Sequence, residues 1–256
     1  AGSLQVRLAT RTVGPTSGRP VTFLHGFTQT SGSWSPVLDC VRDACATLVD
    51  APGHGSNADE SGDLWQTAAA VADVMPRGTL VGYSMGARMA LHVALSRPEQ
   101  VESLVMVSGT PGIEDPVERA ARRASDDALA DRIENIGTRA FVDEWLANPM
   151  FAGLGADAAR RDERYANPAR GLADSLRLAG TGTQEDLWPR LTTLMCPVLV
   201  VTGALDPKFA AIGERMTKSI PNARHVVIPG AGHTVHLEAT DAFCPVLSGF
   251  LAGPFA

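Results

Sequence analysis

Apolar residues along this chain come in two textures that alternate. Short runs continuous in valine, leucine and isoleucine, at Gln5 to Thr10, Val21 to Leu24, Thr47 to Val49, Thr79 to Val81, Val101 to Val107, Val198 to Thr202 and His225 to Ile228, read as strands. Because these runs do not alternate apolar with polar, both faces of each strand are predicted to be covered, which is the signature of a mostly parallel sheet. Helix-length segments lie between them. Asp63 to Met75 opens with an acid followed three residues later by Gln66, a capping-box pattern. Met85 to Ser96 runs on to Arg97-Pro98, where the proline ends it, and Asp241 to Leu251 closes the chain.

One region departs from this rhythm. From about Pro111 to Trp188 no strand is predicted, and Val117, Ala121, Ala124, Leu129, Ile133, Phe141 and Trp145 recur at helical spacing. The segment is several times longer than an ordinary crossover. Ligands of open α/β sheets sit beyond the carboxyl ends of the strands, and an insertion after Val107 projects there. The predicted fold class is therefore α/β, with a mostly parallel central sheet in residues 4–110 and 189–256 and a helical cap in residues 111–188.

With 256 residues, 45% of them hydrophobic, the chain is long enough to bury a full core, and its net charge of -6 argues against a nucleic-acid partner. No apolar run of membrane-spanning length and no charged-then-apolar leader is present, so the expected location is cytoplasmic. Ala1-Gly2-Ser3 reads as an expression remnant. Cys40, Cys45, Cys196 and Cys244 lack Cys-x-x-Cys spacing and sit among apolar neighbours, so all are expected to be buried free thiols. No metal or nucleotide cofactor is expected: there is no His-x-x-x-His pair, no Walker loop and no Gly-x-Gly-x-x-Gly after a strand.

The chemistry concentrates at Gly82-Tyr83-Ser84-Met85-Gly86, which an apolar strand enters and a helix leaves. A Gly-x-Ser-x-Gly turn in that setting raises the serine hydroxyl above the sheet edge, with glycines where a Cβ would clash. A serine needs a positioned base, itself oriented by an acid. Two later strand ends supply them: Asp206 in Gly203-Ala-Leu-Asp, and His233 in Pro229-Gly-Ala-Gly-His. His233 is preferred over His236, which lies further into a helix start. His25 and His54 are read as organising turns, His92 and His225 as ordinary helix and strand residues. The amides of Phe27 and Met85 are the two candidate donors of an oxyanion hole.

With these parts placed, the chain resembles the α/β-hydrolase superfamily. Tyr83-Ser84-Met85-Gly86-Ala87-Arg88, Glu118-Arg119-Ala120-Ala121-Arg122, Asn148-Pro149-Met150-Phe151-Ala152, Asp206-Pro207-Lys208-Phe209 and Ala231 to Glu238 are similar to one branch of it, the menaquinone-pathway synthases of 2-succinyl-6-hydroxy-2,4-cyclohexadiene-1-carboxylate. The likeness runs from about Val21 to the last helix, with Ala87 and Ala204 as departures. It implies a lyase that eliminates pyruvate from 2-succinyl-5-enolpyruvyl-6-hydroxy-3-cyclohexene-1-carboxylate. That small polycarboxylate calls for fixed cations, and Arg88, Arg122, Arg164 and Lys208 are the matching positions. Arg122 is equally placed to pair with Glu118 or Asp126 on its own helix, and Arg160 or Arg161 can stand in for Arg164. Trp145 and Phe151 either line the cap or form its core, and Tyr83 offers a hydroxyl to a carboxylate. A carboxylesterase or a carbon-carbon bond hydrolase using the same triad is the competing expectation; a ligand-binding receptor on this scaffold is a third.

Overall fold

The Val- and Leu-rich runs assemble into one seven-stranded sheet in the computed structural model, which describes residues 6–253. Its strands are β1 (Thr10–Val13), β2 (Arg19–Leu24), β3 (Ala44–Val49), β4 (Gly78–Tyr83), β5 (Val101–Val107), β6 (Val198–Gly203) and β7 (Ala223–Ile228), in the order β1-β3-β2-β4-β5-β6-β7. Every pairing is parallel except that of β1 with β3. The helices are α1 (Ser35–Leu38), α2 (Leu64–Val74), α3 (Met85–Ser96), α4 (Pro116–Ile136), α5 (Thr138–Leu146), α6 (Arg161–Tyr165), α7 (Ala169–Ala179), α8 (Pro207–Ser219), α9 (Val235–Glu238) and α10 (Thr240–Ala252).

Period-two alternation sends successive side chains of each central strand into opposite cores. Leu104 and Met106 of β5 pack with α2 and α3, whereas Val105 and Val107 pack with Trp34, Val37 and the Phe243 and Phe250 rings of α10. Burying each such side chain contributes about 1.5 to 3 kcal/mol, so a continuous apolar run is stable only as a doubly covered strand. Helix α2 starts as its sequence predicts: Asp63 accepts the Gln66 amide and Gln66 returns a bond to the Asp63 amide. Between β5 and β6 the described residues form helices and turns, with no strand.

Three expectations are corrected. The first strand is Thr10–Val13 rather than Gln5 to Thr10, and Gln5, like Ala1-Gly2-Ser3, lies outside the described residues. Val6 and Leu8 are buried, but the amides of Arg7 and Ala9 are taken by side chains, Glu60 Oε2 at 3.1 Å and Asn57 Oδ1 at 2.7 Å, in place of a ladder. The apolar stripe assigned to α4 fails over its first half: Val117 is 78% exposed, and the buried positions are Asp126, Ala130 and Ile133. The cysteines are not all free. Cys40, just past α1, is bonded to Cys244 on α10 with Cα atoms 5.7 Å apart, while Cys45 and Cys196 remain thiols. The bonded pair is 204 residues apart in sequence, so no spacing motif announces it; the packing of α10 beside α1 brings them together.

Candidate active site

Strand β4 ends at Tyr83 and α3 begins at Met85, which leaves a single residue to make the bend. That residue, Ser84, is held at φ 51°, a region non-glycine residues rarely occupy. The surroundings enforce it: the Ser84 amide donates to the Val107 carbonyl at 2.8 Å. A Cβ on Gly82 would stand 2.3 Å from the Gly86 carbonyl oxygen, and one on Gly86 2.2 Å from that of Leu24. The bend lifts the hydroxyl clear of the sheet.

There it meets the products of two neighbouring strand ends. Ser84 Oγ is 3.1 Å from His233 Nε2, and His233 Nδ1 is 2.7 Å from Asp206 Oδ2. With the Asp206 carboxylate accepting from Nδ1, the second ring nitrogen is left to accept the serine proton. Asp206 is also the N-cap of α8, accepting the Phe209 amide at 3.3 Å, so its carboxylate is fixed from the helix side as well. The alternative, His236, is fully buried, lies flat on Trp34 at 4.3 Å between ring centroids, and neither of its nitrogens has a hydrogen-bond partner among the described residues.

Ser84, Asp206 and His233 open on a cavity of about 870 Å³ whose wall also includes Phe27, Tyr83, Met85, Arg88, Arg122, Trp145, Phe151, Arg164 and Lys208. Arg88 is 7% exposed and donates to the Ala179 carbonyl at 2.7 Å; Arg164 is 2% exposed and donates to the Ala159 carbonyl and to Thr28 Oγ1. Among the described residues neither has a carboxylate within ion-pair distance. Burial lowers both guanidinium pKa values to about 10, which leaves them charged at neutral pH. Arg122 does both things foreseen for it: it pairs with Asp126 at 2.7 Å and lines the cavity. Arg160, the rival of Arg164, pairs instead with Glu163, and Arg161 with Asp143. The Tyr83 hydroxyl is shared with Thr234 at 2.9 Å, so a ligand reaching it competes with that bond. Trp145 and Phe151 likewise pack and line at once: their rings are 5.7 Å apart, and Phe151 lies 6.3 Å from the His233 ring.

Sequence reasoning missed how the loop bearing Phe27 is held. Asn167 donates to the Thr28 carbonyl at 2.8 Å, and Arg164 bonds the same residue, so the helical segment grips the loop after β2. Beside the foreseen Arg122, it also missed the other members of the face that α4 turns to the cavity, Glu118, Ser125 and Leu129, so that the four are spaced four, three and four residues apart. That period was legible, but as a polar stripe it carries no burial signal. Ser108 was passed over too, although it sits at φ 50° in the cavity wall, its buried hydroxyl without a partner among the described residues.

Residues 23–246 match the alpha/beta hydrolase family. The chain belongs to that family. It is 37% identical over 260 residues, 96% of this chain and 95% of the other, to a Bacillus subtilis protein provisionally named 2-succinyl-6-hydroxy-2,4-cyclohexadiene-1-carboxylate synthase. It is 31% identical to the synthase of the same name from Serratia proteamaculans, over 91% of this chain and 92% of that one. The solved structure of MenH from S. aureus superposes with a TM-score of 0.90 at 30% identity, covering 96% of this chain and 99% of that chain. Within this α/β-hydrolase the described helices include none long and apolar enough to cross a membrane, and no described cluster of His, Cys, Asp or Glu is arranged to hold a metal.

The other buried histidines of the fold are structural. His25 Nε2 accepts the Ala51 amide at 2.9 Å, and His54 donates from Nδ1 to the Pro52 carbonyl at 2.9 Å. Burial pushes His54 and His236 down to about 3 and His92 to about 4, from an ordinary 6.5. Between those values the unfolded chain binds protons that the folded chain refuses, so stability falls as pH drops below 6.5. At pH 5 each of these histidines removes about 2 kcal/mol, a large share of a typical folding free energy. Circular dichroism melts are expected to show a steep fall in Tm between pH 6.5 and 4.5; equal Tm at both ends contradicts the burial of these rings in neutral form.

Proposed function

We propose that this enzyme is a 2-succinyl-6-hydroxy-2,4-cyclohexadiene-1-carboxylate synthase, a carbon-oxygen lyase of menaquinone biosynthesis, with Ser84, His233 and Asp206 as its proton-transfer set. The observation that carries the reading is the pair of buried guanidiniums, Arg88 and Arg164, in the wall of the cavity that Ser84 faces, without carboxylate partners among the described residues. A buried unpaired charge costs several kcal/mol, and a ligand carboxylate is the group that repays it. Lys208, and Arg122 beside its partner Asp126, add further cations to a wall that also holds Glu114, Asp115 and Glu118, and such cations suit a substrate with three carboxylates. In this reading residues 111–188 are a cap over residues 4–110 and 189–256, and Trp145 and Phe151 are its apolar contribution to the site.

The chemistry follows from the geometry. Ser84 Oγ, its own proton drawn to His233 Nε2, takes the carbon-bound proton of 2-succinyl-5-enolpyruvyl-6-hydroxy-3-cyclohexene-1-carboxylate. The C–H electron pair moves through the conjugated system onto the succinyl carbonyl oxygen. Met85 opens α3, so its amide has no acceptor four residues back within the helix; with the Phe27 amide it would meet that oxygen. As the electrons return, the ring carbon–oxygen bond breaks, and the departing enolate of pyruvate is protonated from the His233–Ser84 pair. No acyl-enzyme forms.

The test is release of pyruvate from the enolpyruvyl substrate, read through lactate dehydrogenase and NADH. Stoichiometric pyruvate is the expected result. Failure to release it, together with an acyl-enzyme burst on a nitrophenyl ester, assigns the same residues to a hydrolase.

A further inference from the structure

The catalytic histidine lies in a glycine-bearing loop, Pro229 to Thr234, with no regular structure of its own until α9 begins at Val235. A loop of that kind does not hold an imidazole in place by itself. Both peptide amides flanking His233 end on one side chain: the Gly232 amide donates to Glu238 Oε2 at 2.7 Å and the Thr234 amide to Glu238 Oε1 at 2.8 Å. The Glu238 amide in turn donates to the Thr234 carbonyl at 2.9 Å. One carboxylate thus spans His233 from both sides. Bonds from amides to an ionised carboxylate are worth about twice neutral ones.

The same carboxylate touches the helical segment. A Cβ built on Gly153, two residues past Phe151, would lie 2.3 Å from Glu238 Oε2, and one on Gly232 would lie 2.9 Å from it. Gly153 is without a side chain where the segment above the cavity comes down on the carboxylate. Phe151, from the same turn, sets its ring edge-on to His233.

We propose that Glu238 is a positioning residue for His233, and that the bare backbone at Gly153 lets the segment above the cavity close without displacing it. The inference rests on His233 being the proton carrier. Glu238 itself touches neither the reacting atoms nor the cavity; it acts by holding the loop so that Nδ1 stays on Asp206 and Nε2 on Ser84. Glu238→Gln keeps one acceptor oxygen but turns an amide NH2 toward the second backbone N–H. Gly153→Ala presses a methyl group on the carboxylate end of Glu238, a flexible side chain that can swing away from the two amides, so the fold tolerates it while the clamp does not.

Two measurements decide. In steady-state kinetics both variants are expected to lower kcat tenfold or more with KM within twofold of wild type, and the double variant is expected to be no slower than Glu238→Gln alone. In proton NMR the low-field resonance of the His233 Nδ1–H bonded to Asp206 is expected to broaden or vanish in each, a change that a merely structural role leaves unmade. Both variants within twofold of wild-type kcat with that resonance intact, or losses that multiply in the double variant, overturn the proposal. Should Glu238→Gln not fold, Gly153→Ala and its NMR spectrum carry the test alone. A wild type that releases no pyruvate defeats the proposed reaction instead, and the NMR comparison still judges the clamp.

Discussion

Ser84→Ala is expected to lower kcat for pyruvate release by about 10²- to 10⁴-fold, the usual worth of a positioned acid-base group, with little change in KM. The substitution deletes the one atom that stands 3.1 Å from His233 Nε2 and leaves the His233–Asp206 bond, the cavity wall and its cations untouched. The size of the loss separates two chemistries. If Ser84 relays a proton, a water in its place can do part of the work and a residual rate survives. If Ser84 were a covalent nucleophile, nothing would replace it, and a loss of about 10⁶-fold is what such removals cost. Single-turnover and steady-state assays on the variant, with Tm as a control for folding, read the difference. Wild-type activity in Ser84→Ala removes the triad from the reaction altogether.

The second large effect is expected at Arg88, and its sign differs between activity and stability. Arg88→Met keeps the volume and removes the charge. A charge-assisted hydrogen bond is worth about 1.5 to 3 kcal/mol, so kcat/KM for the tricarboxylate is expected to fall about 10- to 150-fold. The folded protein, by contrast, loses a buried guanidinium whose described protein acceptor is the Ala179 carbonyl, and replacing such a charge by an apolar side chain is commonly neutral or stabilising. Tm is therefore expected to hold or rise. A variant that loses stability and activity together would make Arg88 a structural residue; one that loses neither would place the anion elsewhere in the cavity.

Most of the sheet, and the three positions Ser84, Asp206 and His233 that the structure brings together, were legible because each depends on local pattern. β5 spans Val101–Val107, as its apolar run reads, and α3 spans Met85–Ser96, bounded by the serine turn and by Pro98. What was illegible depends on partners far away in sequence. Gln5 to Thr10 reads as strand because Val6 and Leu8 make it apolar, yet Asn57 and Glu60 take the amides a ladder needs. Val117 and Ala121 read as core because they are apolar, yet α4 turns Glu118 and Arg122 to the cavity and leaves Val117 in solvent. Similar limits apply to Arg122: spacing offers both the ion pair and the cavity, and only the helix's placement shows that it has both. Glu238 closes the Ala231 to Glu238 motif, but its grip on Gly232 and Thr234 is a matter of loop geometry that composition does not encode.

The bond between Cys40 and Cys244 has a topological outcome. It closes residues 40–244 into a covalent hoop on which Ser84, Asp206 and His233 all lie, while β1, β2 and Phe27 come before it. A protease that severs one exposed turn of the hoop yields two fragments that stay tethered, and a thiol reductant is needed before they part.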